Sequence, residues 1–248
     1  MPEVYIRFYE ELNNFLPAKL PRKTTLPYRY TANTTVRDAI EAFNVPHTEV
    51  DLALVNGTSA GLGHKLNPGD RIAVYPQFET LDISRISKIQ QAPLRHPRFI
   101  VDVNLGKLAG YLRMAGFDTL YENNLEDAWI VDTAARQKRI ILTRDLGVLK
   151  YRKVTHGYYV RSQQPKKQIR EVISHFQLQG MMQAFTRCIA CNGRLQDVPK
   201  QQVQAKVPPR TFAVYTHFLE CRQCGKVYWK GSHYKRMLAF IEMLRHTL

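Results

Sequence analysis

The chain has 248 residues, enough for one large domain or two to three small ones, and its 36 Lys and Arg against 21 Asp and Glu give a formal net charge of +15. Such a balance attracts polyanions, nucleic acid above all. No apolar run approaches the roughly 18 residues that span a bilayer, and Glu3, Glu10 and Glu11 stand where a signal peptide would be basic and then apolar, which argues against a membrane or secreted protein and for a cytoplasmic one.

In chain order, the first expected element is the alternating strand Val4 to Phe8. Val36, Ala39, Ile40 and Phe43 then recur at helical spacing behind Thr34 or Thr35 as N-cap, with Asp38 near the positive helix end. Leu52 to Val55 runs into an Asn56-Gly57 turn, and Arg71 to Tyr75 follows the turn Asn67-Pro68-Gly69-Asp70. So many short elements in 78 residues make an α+β domain. The phrases Val55-Asn56-Gly57 and Pro68 to Pro76 resemble ubiquitin-like β-grasp domains of the sulfur-carrier type. Those carriers end in an exposed Gly-Gly, whereas here Pro76-Gln77-Phe78 occupies that place and the chain continues, which excludes sulfur transfer and leaves a binding or positioning module. Residues 79–98 are polar and aperiodic, a linker.

From Phe99 the pattern alternates: strand Phe99 to Val103, helix Leu105 to Met114, strand Thr119 to Tyr121, helix Asp127 to Gln137, strand Ile140 to Thr143, strand Tyr158 to Arg161, helix Lys166 to Phe176. Alternation of this kind implies a mostly parallel sheet covered by helices. Carboxylates at the C-terminal ends of such strands converge on the edge where α/β sheets bind ligands. Asp102 and Asp145 occupy strand ends and Asp127 a helix start, so the three suit one or two Mg²⁺ or Mn²⁺ ions for phosphodiester hydrolysis. Each also has an ordinary reading, as a helix cap for Asp102 and Asp127 and as a turn residue for Asp145. Asn104 could orient a ligand carboxylate or bind a metal water. Asp118 reads as a turn residue, Asp132 and Glu126 as solvated helix charges.

Lys107, Arg113, Arg144, Lys150, Arg152 and Lys153 surround this acidic edge in sequence. With Leu105, Leu108 and Leu112 taken as the core stripe of their helix, Lys107 and Arg113 are expected to face outward toward phosphates. The third segment carries the only cysteines, Cys188-x-x-Cys191 and Cys221-x-x-Cys224, each pair followed by Gly at 193 or 225. Four thiolates suit a structural Zn²⁺ better than disulfides, with the 29-residue gap looped out as a hairpin or helix around Pro208 to His217. After the last pair, Tyr228, Trp229, Lys230, His233, Tyr234, Lys235 and Arg236 interleave rings with cations, a mixture that stacks bases and follows a backbone, while Tyr228 and Trp229 read equally as a small core. His217 and His233 could replace a ligand, but four thiolates already satisfy zinc, so they are expected as surface or packing residues.

Asp127 to Asp145 with the upstream Val-Asp-Val-Asn is similar to the PIN-like nucleases. The fuller run Val101 to Ala109, with Leu112-Arg113-Met114 and Gly116 to Tyr121, resembles the Mut-seven C-terminal ribonuclease family, whose members of this length also carry a β-grasp domain in front and a zinc ribbon behind, with phrases like Arg187-Cys188-x-x-Cys191-Asn192-Gly193 and Val227 to Tyr234. The fold class implied is α/β, with an N-terminal β-grasp domain at 1–78, a linker at 79–98, a PIN-like parallel-sheet domain at 99–180 and a zinc ribbon at 181–248. The resemblance implies Mg²⁺ or Mn²⁺ on Asp102, Asp127 and Asp145, supported by Asn104 and Thr143, zinc on Cys188, Cys191, Cys221 and Cys224, and RNA contacts from Lys107, Arg113, Arg144, Lys150, Arg152, Lys153, Lys230, Lys235 and Arg236. In one departure, Gly147 stands where many PIN nucleases place another acid. The expected activity is metal-dependent hydrolysis of single-stranded or structured RNA, with a protein partner reached through the β-grasp domain. The rival readings are a non-catalytic binder of tRNA or rRNA on the same scaffold and a β-grasp adaptor.

Overall fold

The structure is a computed structural model that describes residues 1–76, 83, 85–89 and 96–246, so Gln77-Phe78 and most of the expected linker lie outside the described residues. Contacts divide the chain into two compact units, Met1–His96 with Asp127–Tyr159, and Pro97–Glu126 with Val160–Leu248, a division that passes through the segment read as the central domain.

The first unit opens with β1 (Glu3–Phe8), β2 (Thr25–Arg29), α1 (Val36–Ala42), β3 (Leu52–Val55), β4 (Thr58–Ser59) and β5 (Arg71–Tyr75). These strands form one sheet in the order β2-β1-β5-β3-β4, with β1 and β5 parallel and the other pairs antiparallel. That is the β-grasp arrangement expected from the sequence. The period-two pattern of β1 sends Val4, Ile6 and Phe8 inward, where they meet Val36, Ile40 and Val74. Thr35 caps α1 in a full capping box: its side chain accepts from the Asp38 backbone N–H while Asp38 accepts from the Thr35 N–H at 2.8 Å. Asn56 and Gly57 both have positive φ, +49° and +83°, which a two-residue hairpin turn requires and which links β3 to β4, a strand too short for the sequence pattern to reveal.

The chain continues through β6 (Phe99–Val101), α2 (Gly106–Met114) and β7 (Thr119–Leu120) in the second unit, then α3 (Asp127–Gln137), β8 (Ile140–Thr143), α4 (Leu146–Leu149) and β9 (Gly157–Tyr159) in the first. It finishes in the second unit with α5 (Pro165–His175), β10 (Leu195–Val198), α6 (Pro209–Val214), β11 (Phe218–Cys221), β12 (Val227–Trp229) and α7 (Ser232–Arg245). β6 pairs with β7 and β8 with β9, each in parallel, as the alternating pattern demands. All four residues of β8 are buried, the mark of a strand covered on both faces. β6 ends two residues earlier than expected because Asp102 leads into a helical turn, Val103–Leu105.

Within the first unit, the β-grasp helix and the loop after it are fastened to the 150–159 segment by polar contacts. His47 Nε2 pairs with the Val154 carbonyl at 2.8 Å, Arg37 donates to the carbonyls of Tyr151 at 3.2 Å and Arg152 at 3.4 Å, and Tyr159 N donates to Glu49 at 2.7 Å. His47 Nδ1 also meets Glu41 at 2.6 Å. The β-grasp domain is thus built into this unit rather than hung from it.

In the second unit, β10, β11 and β12 form an antiparallel sheet over a small core of Val203, Val207, Phe218 and Val227, against which Phe212 and Trp229 pack. α6 and the helical turns Lys200–Lys206 fill the gap between the cysteine pairs, as expected. Burial, helped by the nearby Arg161 charge, pushes the His175 imidazole down to about 3 from its usual 6.5. Between those values the unfolded chain binds a proton that the folded one refuses, so the stabilisation is complete above pH 6.5 and is lost as pH falls. Urea unfolding from pH 6.5 to pH 5 is expected to lose about 2 kcal/mol on this account, at about 1.4 kcal/mol per pH unit. His175→Gln should flatten that slope, and an unchanged slope would reassign it to another group.

Candidate active site and zinc centre

Asp102 follows β6, is 4% exposed, and its side chain does not cap the helical turn that follows it. The helix-cap reading of this residue is therefore not met. Asp127 is the exposed first residue of α3, where its charge suits the helix dipole. Asp145 is exposed and caps α4: its Oδ1 accepts from Gly147 N at 2.7 Å, while its own N–H donates to Thr143 Oγ1 at 2.9 Å. Thr143 is fully buried, so it fixes the backbone from which the Asp145 carboxylate projects. A Cβ at Gly147 would sit 3.0 Å from that carboxylate oxygen, a tight contact that the glycine avoids. Asp102 belongs to the second unit, Asp127 and Asp145 to the first.

Asn104 is exposed and lines a cavity of about 510 Å³ with Lys107, Tyr121, Asn123, Gln163 and Gln168. Four amides and a phenol line this wall beside Leu105, Gly106 and Pro165. The Tyr121 hydroxyl donates to the Val103 carbonyl at 3.1 Å, and a Cβ at Gly106 would strike that hydroxyl, so the glycine is required for the ring's position.

The four cysteine sulfurs lie within 4.8 Å of one another, with Cys188 and Cys224 at 3.6 Å and Cys191 and Cys221 at 3.4 Å. Thiolates on one tetrahedral Zn²⁺ sit about 3.8 Å apart, given Zn–S of about 2.3 Å, and a disulfide needs about 2.05 Å, so the set fits structural zinc. A Cβ at Gly193 would lie 2.7 Å from Cys221 Sγ, and Gly225 has φ +70°; both glycines are needed for the two loops to close. Burial opposes ionisation of Cys188, but the Tyr228 hydroxyl at 3.1 Å and the Cys191 backbone N–H hold its thiol down to about 7. Tyr228 thus contacts the Cys188 sulfur and Trp229 packs on the ribbon core, so both have a structural place. His217 pairs at the surface with Asp197, and His233 is exposed.

Arg113 corrects an expectation. It does not face outward: it is 5% exposed and donates to the carbonyls of Thr119 at 2.9 Å, Ile189 at 3.1 Å, Ala190 at 2.8 Å and Tyr121 at 3.3 Å. Its fork ties α2 to the loop of the first cysteine pair. Burial lowers its pKa, opposed chiefly by the Cys191, Cys188 and Asp118 charges. Asp118, read as a turn residue, accepts from Asn192 at 2.9 Å and pairs with Arg187 at 3.4 Å, while Asn192 Oδ1 accepts from Thr119 N at 2.9 Å. Arg113→Met should cost about 3 kcal/mol or more in urea unfolding, because it strands buried carbonyls, and Arg113→Lys should rescue little, since one ammonium cannot span the fork. A cost below about 0.5 kcal/mol would return Arg113 to the surface.

Of the other basic residues, Lys107, Arg152, Lys153, Lys230, Lys235 and Arg236 are exposed and Arg144 is half-buried. Lys150 is corrected too: its ammonium binds Asn44 of the β-grasp domain at 2.7 Å. Lys153 pairs with Asp132 at 2.8 Å, and Lys230 lies 5.7 Å from the Tyr234 ring centre.

The family described as "Mut7-C RNAse domain" matches residues 97–241, and that described as "Mut7-C ubiquitin" matches residues 1–82. Among solved structures, the small archaeal modifier protein 1 of H. volcanii is 20% identical and covers 32% of this chain and 100% of its own, with a TM-score of 0.26. A second crystal structure, of SAMP1 from Haloferax volcanii, is 20% identical over 31% of this chain and 96% of its own, with a TM-score of 0.25. No curated protein matches. With its β-grasp unit in front, its parallel strand pairs behind, and matches that span most of its length, the chain belongs to the Mut7-C RNAse domain family.

Proposed function

We propose that this chain is a cytoplasmic, metal-dependent ribonuclease that hydrolyses phosphodiester bonds in single-stranded or structured RNA, with Asp102, Asp127 and Asp145 as ligands for Mg²⁺ or Mn²⁺ and Asn104 and Thr143 in support. The observation that carries the reading is the RNAse-domain match over residues 97–241, which contains all three carboxylates. Hard carboxylate oxygens are the donors these ions prefer. The chemistry such an ion supplies is charge neutralisation on the phosphate and acidification of the attacking water. The chain's own part is to orient the carboxylates, as Thr143 and Gly147 do for Asp145, and to bring phosphates in through exposed cations such as Lys107. Among the described residues no helix is long and apolar enough to cross a membrane. The β-grasp unit would position RNA or a protein partner.

One observation favours a second reading, an RNA-binding protein without turnover: the Asp145 carboxylate already has a structural task as the α4 cap. Cleavage of end-labelled RNA by protein that retains its zinc and has been freed of Mg²⁺ and Mn²⁺ separates the two. Restoring Mg²⁺ or Mn²⁺ should restore cleavage; binding without cleavage under either ion would leave the second reading.

A further inference from the structure

In the second unit a cavity of about 420 Å³ opens between α2, α5, α7 and the first zinc loop. α2 lines it with Lys107, Gly110, Tyr111 and Met114, and α7 with His233, Arg236, Met237 and Phe240, in both cases the i, i+3, i+4, i+7 stripe of one helix face. Each stripe begins basic and ends apolar. A stripe meant only for the core would be apolar throughout. Lys166 from the first turn of α5 adds a cation, its ammonium 5.8 Å from the Phe240 ring centre, and Ile189, held between two zinc ligands, closes one wall. The Tyr111 and Phe240 rings stand 5.2 Å apart at 46° and are half-buried, while Lys107, Lys166 and Arg236 are exposed and, among the described residues, no carboxylate lines the cavity.

We propose that this cavity is a base-binding subsite for single-stranded RNA, in which a nucleobase packs against Tyr111 and Phe240 while the flanking phosphates meet Lys107, Lys166 and Arg236. The choice of RNA as occupant rests on the ribonuclease reading above; the cavity's chemistry is independent of it. Its volume lies within the roughly 300–1,000 Å³ of small-ligand sites. Aromatic faces joined to a cationic rim are the means by which proteins hold single strands without reading sequence. Charge complementarity selects a polyanion over a neutral apolar segment, and the rings select one that carries bases. Lys107 also lines the amide-rich cavity that begins at Asn104, so a strand seated here continues toward Asp102. Gly110 lines the cavity, and a Cβ there would meet Ile189 Cγ2 at an ordinary 3.6 Å, so a side chain begun at this position is tolerated at its first atom and extends into the space.

The test is fluorescence anisotropy on the full chain without added Mg²⁺ or Mn²⁺, using a labelled eight-nucleotide RNA and an abasic oligomer of equal length and charge. The unmodified protein should prefer the RNA by about tenfold or more. Phe240→Ala and Gly110→Leu should each erase that preference at unchanged zinc content, one by removing a ring and the other by occupying the cavity. Lys166→Glu should weaken both oligomers alike and reduce the salt dependence of binding. Equal binding of the two oligomers by the unmodified protein, a preference that survives both cavity variants, or displacement by polyglutamate as readily as by RNA would overturn the subsite. Because no step requires cleavage, an inactive protein that shows the preference would retain the subsite and lose only the ribonuclease reading.

Discussion

Asp102→Asn is expected to lower RNA cleavage at least about 100-fold in the presence of Mg²⁺ or Mn²⁺ while the protein melts within a few degrees of the parent. Asparagine keeps the shape and removes the charge that a divalent ion requires, and the Asp102 side chain does not cap the helical turn that follows it. Asp145 offers a sharper comparison, because it has a structural task and a proposed catalytic one. Asn caps a helix as well as Asp, whereas Ala forfeits about 1 kcal/mol. If Asp145 is a metal ligand, Asp145→Asn and Asp145→Ala should be equally inactive although only the second is destabilised. If Asp145 is a cap alone, Asp145→Asn should cleave at the parental rate. Parental cleavage by both Asp102→Asn and Asp145→Asn would sink the assignment of the carboxylates.

Loss of zinc is expected to have the largest effect on stability. Zinc binding by small cysteine sites is worth about 10–16 kcal/mol apparent, as much as the whole stability of many domains, and the ribbon's own core is four buried aliphatic and aromatic side chains. Cys221, 2% exposed, lies at the end of β11, and its sulfur sits against Gly193 of the other loop. Cys221→Ser should therefore release the metal, lower the melting temperature of the second unit by more than about 10 °C, and abolish the RNA preference of the cavity whose wall is Ile189. The untreated protein should carry one zinc per chain by elemental analysis. A zinc-free protein with the parental melting curve would mean that the cysteines hold no structural ion.

The elements with strong local periods are legible in the amino-acid sequence alone: the alternation of β1, the stripe and cap of α1, the Asn56-Gly57 hairpin, the continuous apolar run of β8 and the two cysteine pairs. Each is specified by residues a few positions apart, through side-chain period, capping hydrogen bonds or turn dihedrals. β4, of two residues, and α4, of four, have no counterpart among the elements expected from the sequence. Arg113 departs from its expected place for a different reason. Helical spacing identifies Leu108 and Leu112 as core, but that Arg113 is also buried follows from carbonyls 76 and 77 residues further along the chain. The place of Lys150 likewise depends on Asn44, and that of His47 on Val154. The basic and aromatic stripes of α2 and α7 are visible as composition, yet a cavity exists only where two such helices and a zinc loop meet. Short-range sterics and hydrogen bonding write the β-grasp pattern, the two cysteine pairs and the order of the three aspartates locally, so these are legible in the residues alone. Which cations are spent on the protein's own carbonyls and amides, and which remain exposed for a phosphate, was decided by tertiary structure, because desolvation and pairing of a charge depend on groups brought near it from distant parts of the chain.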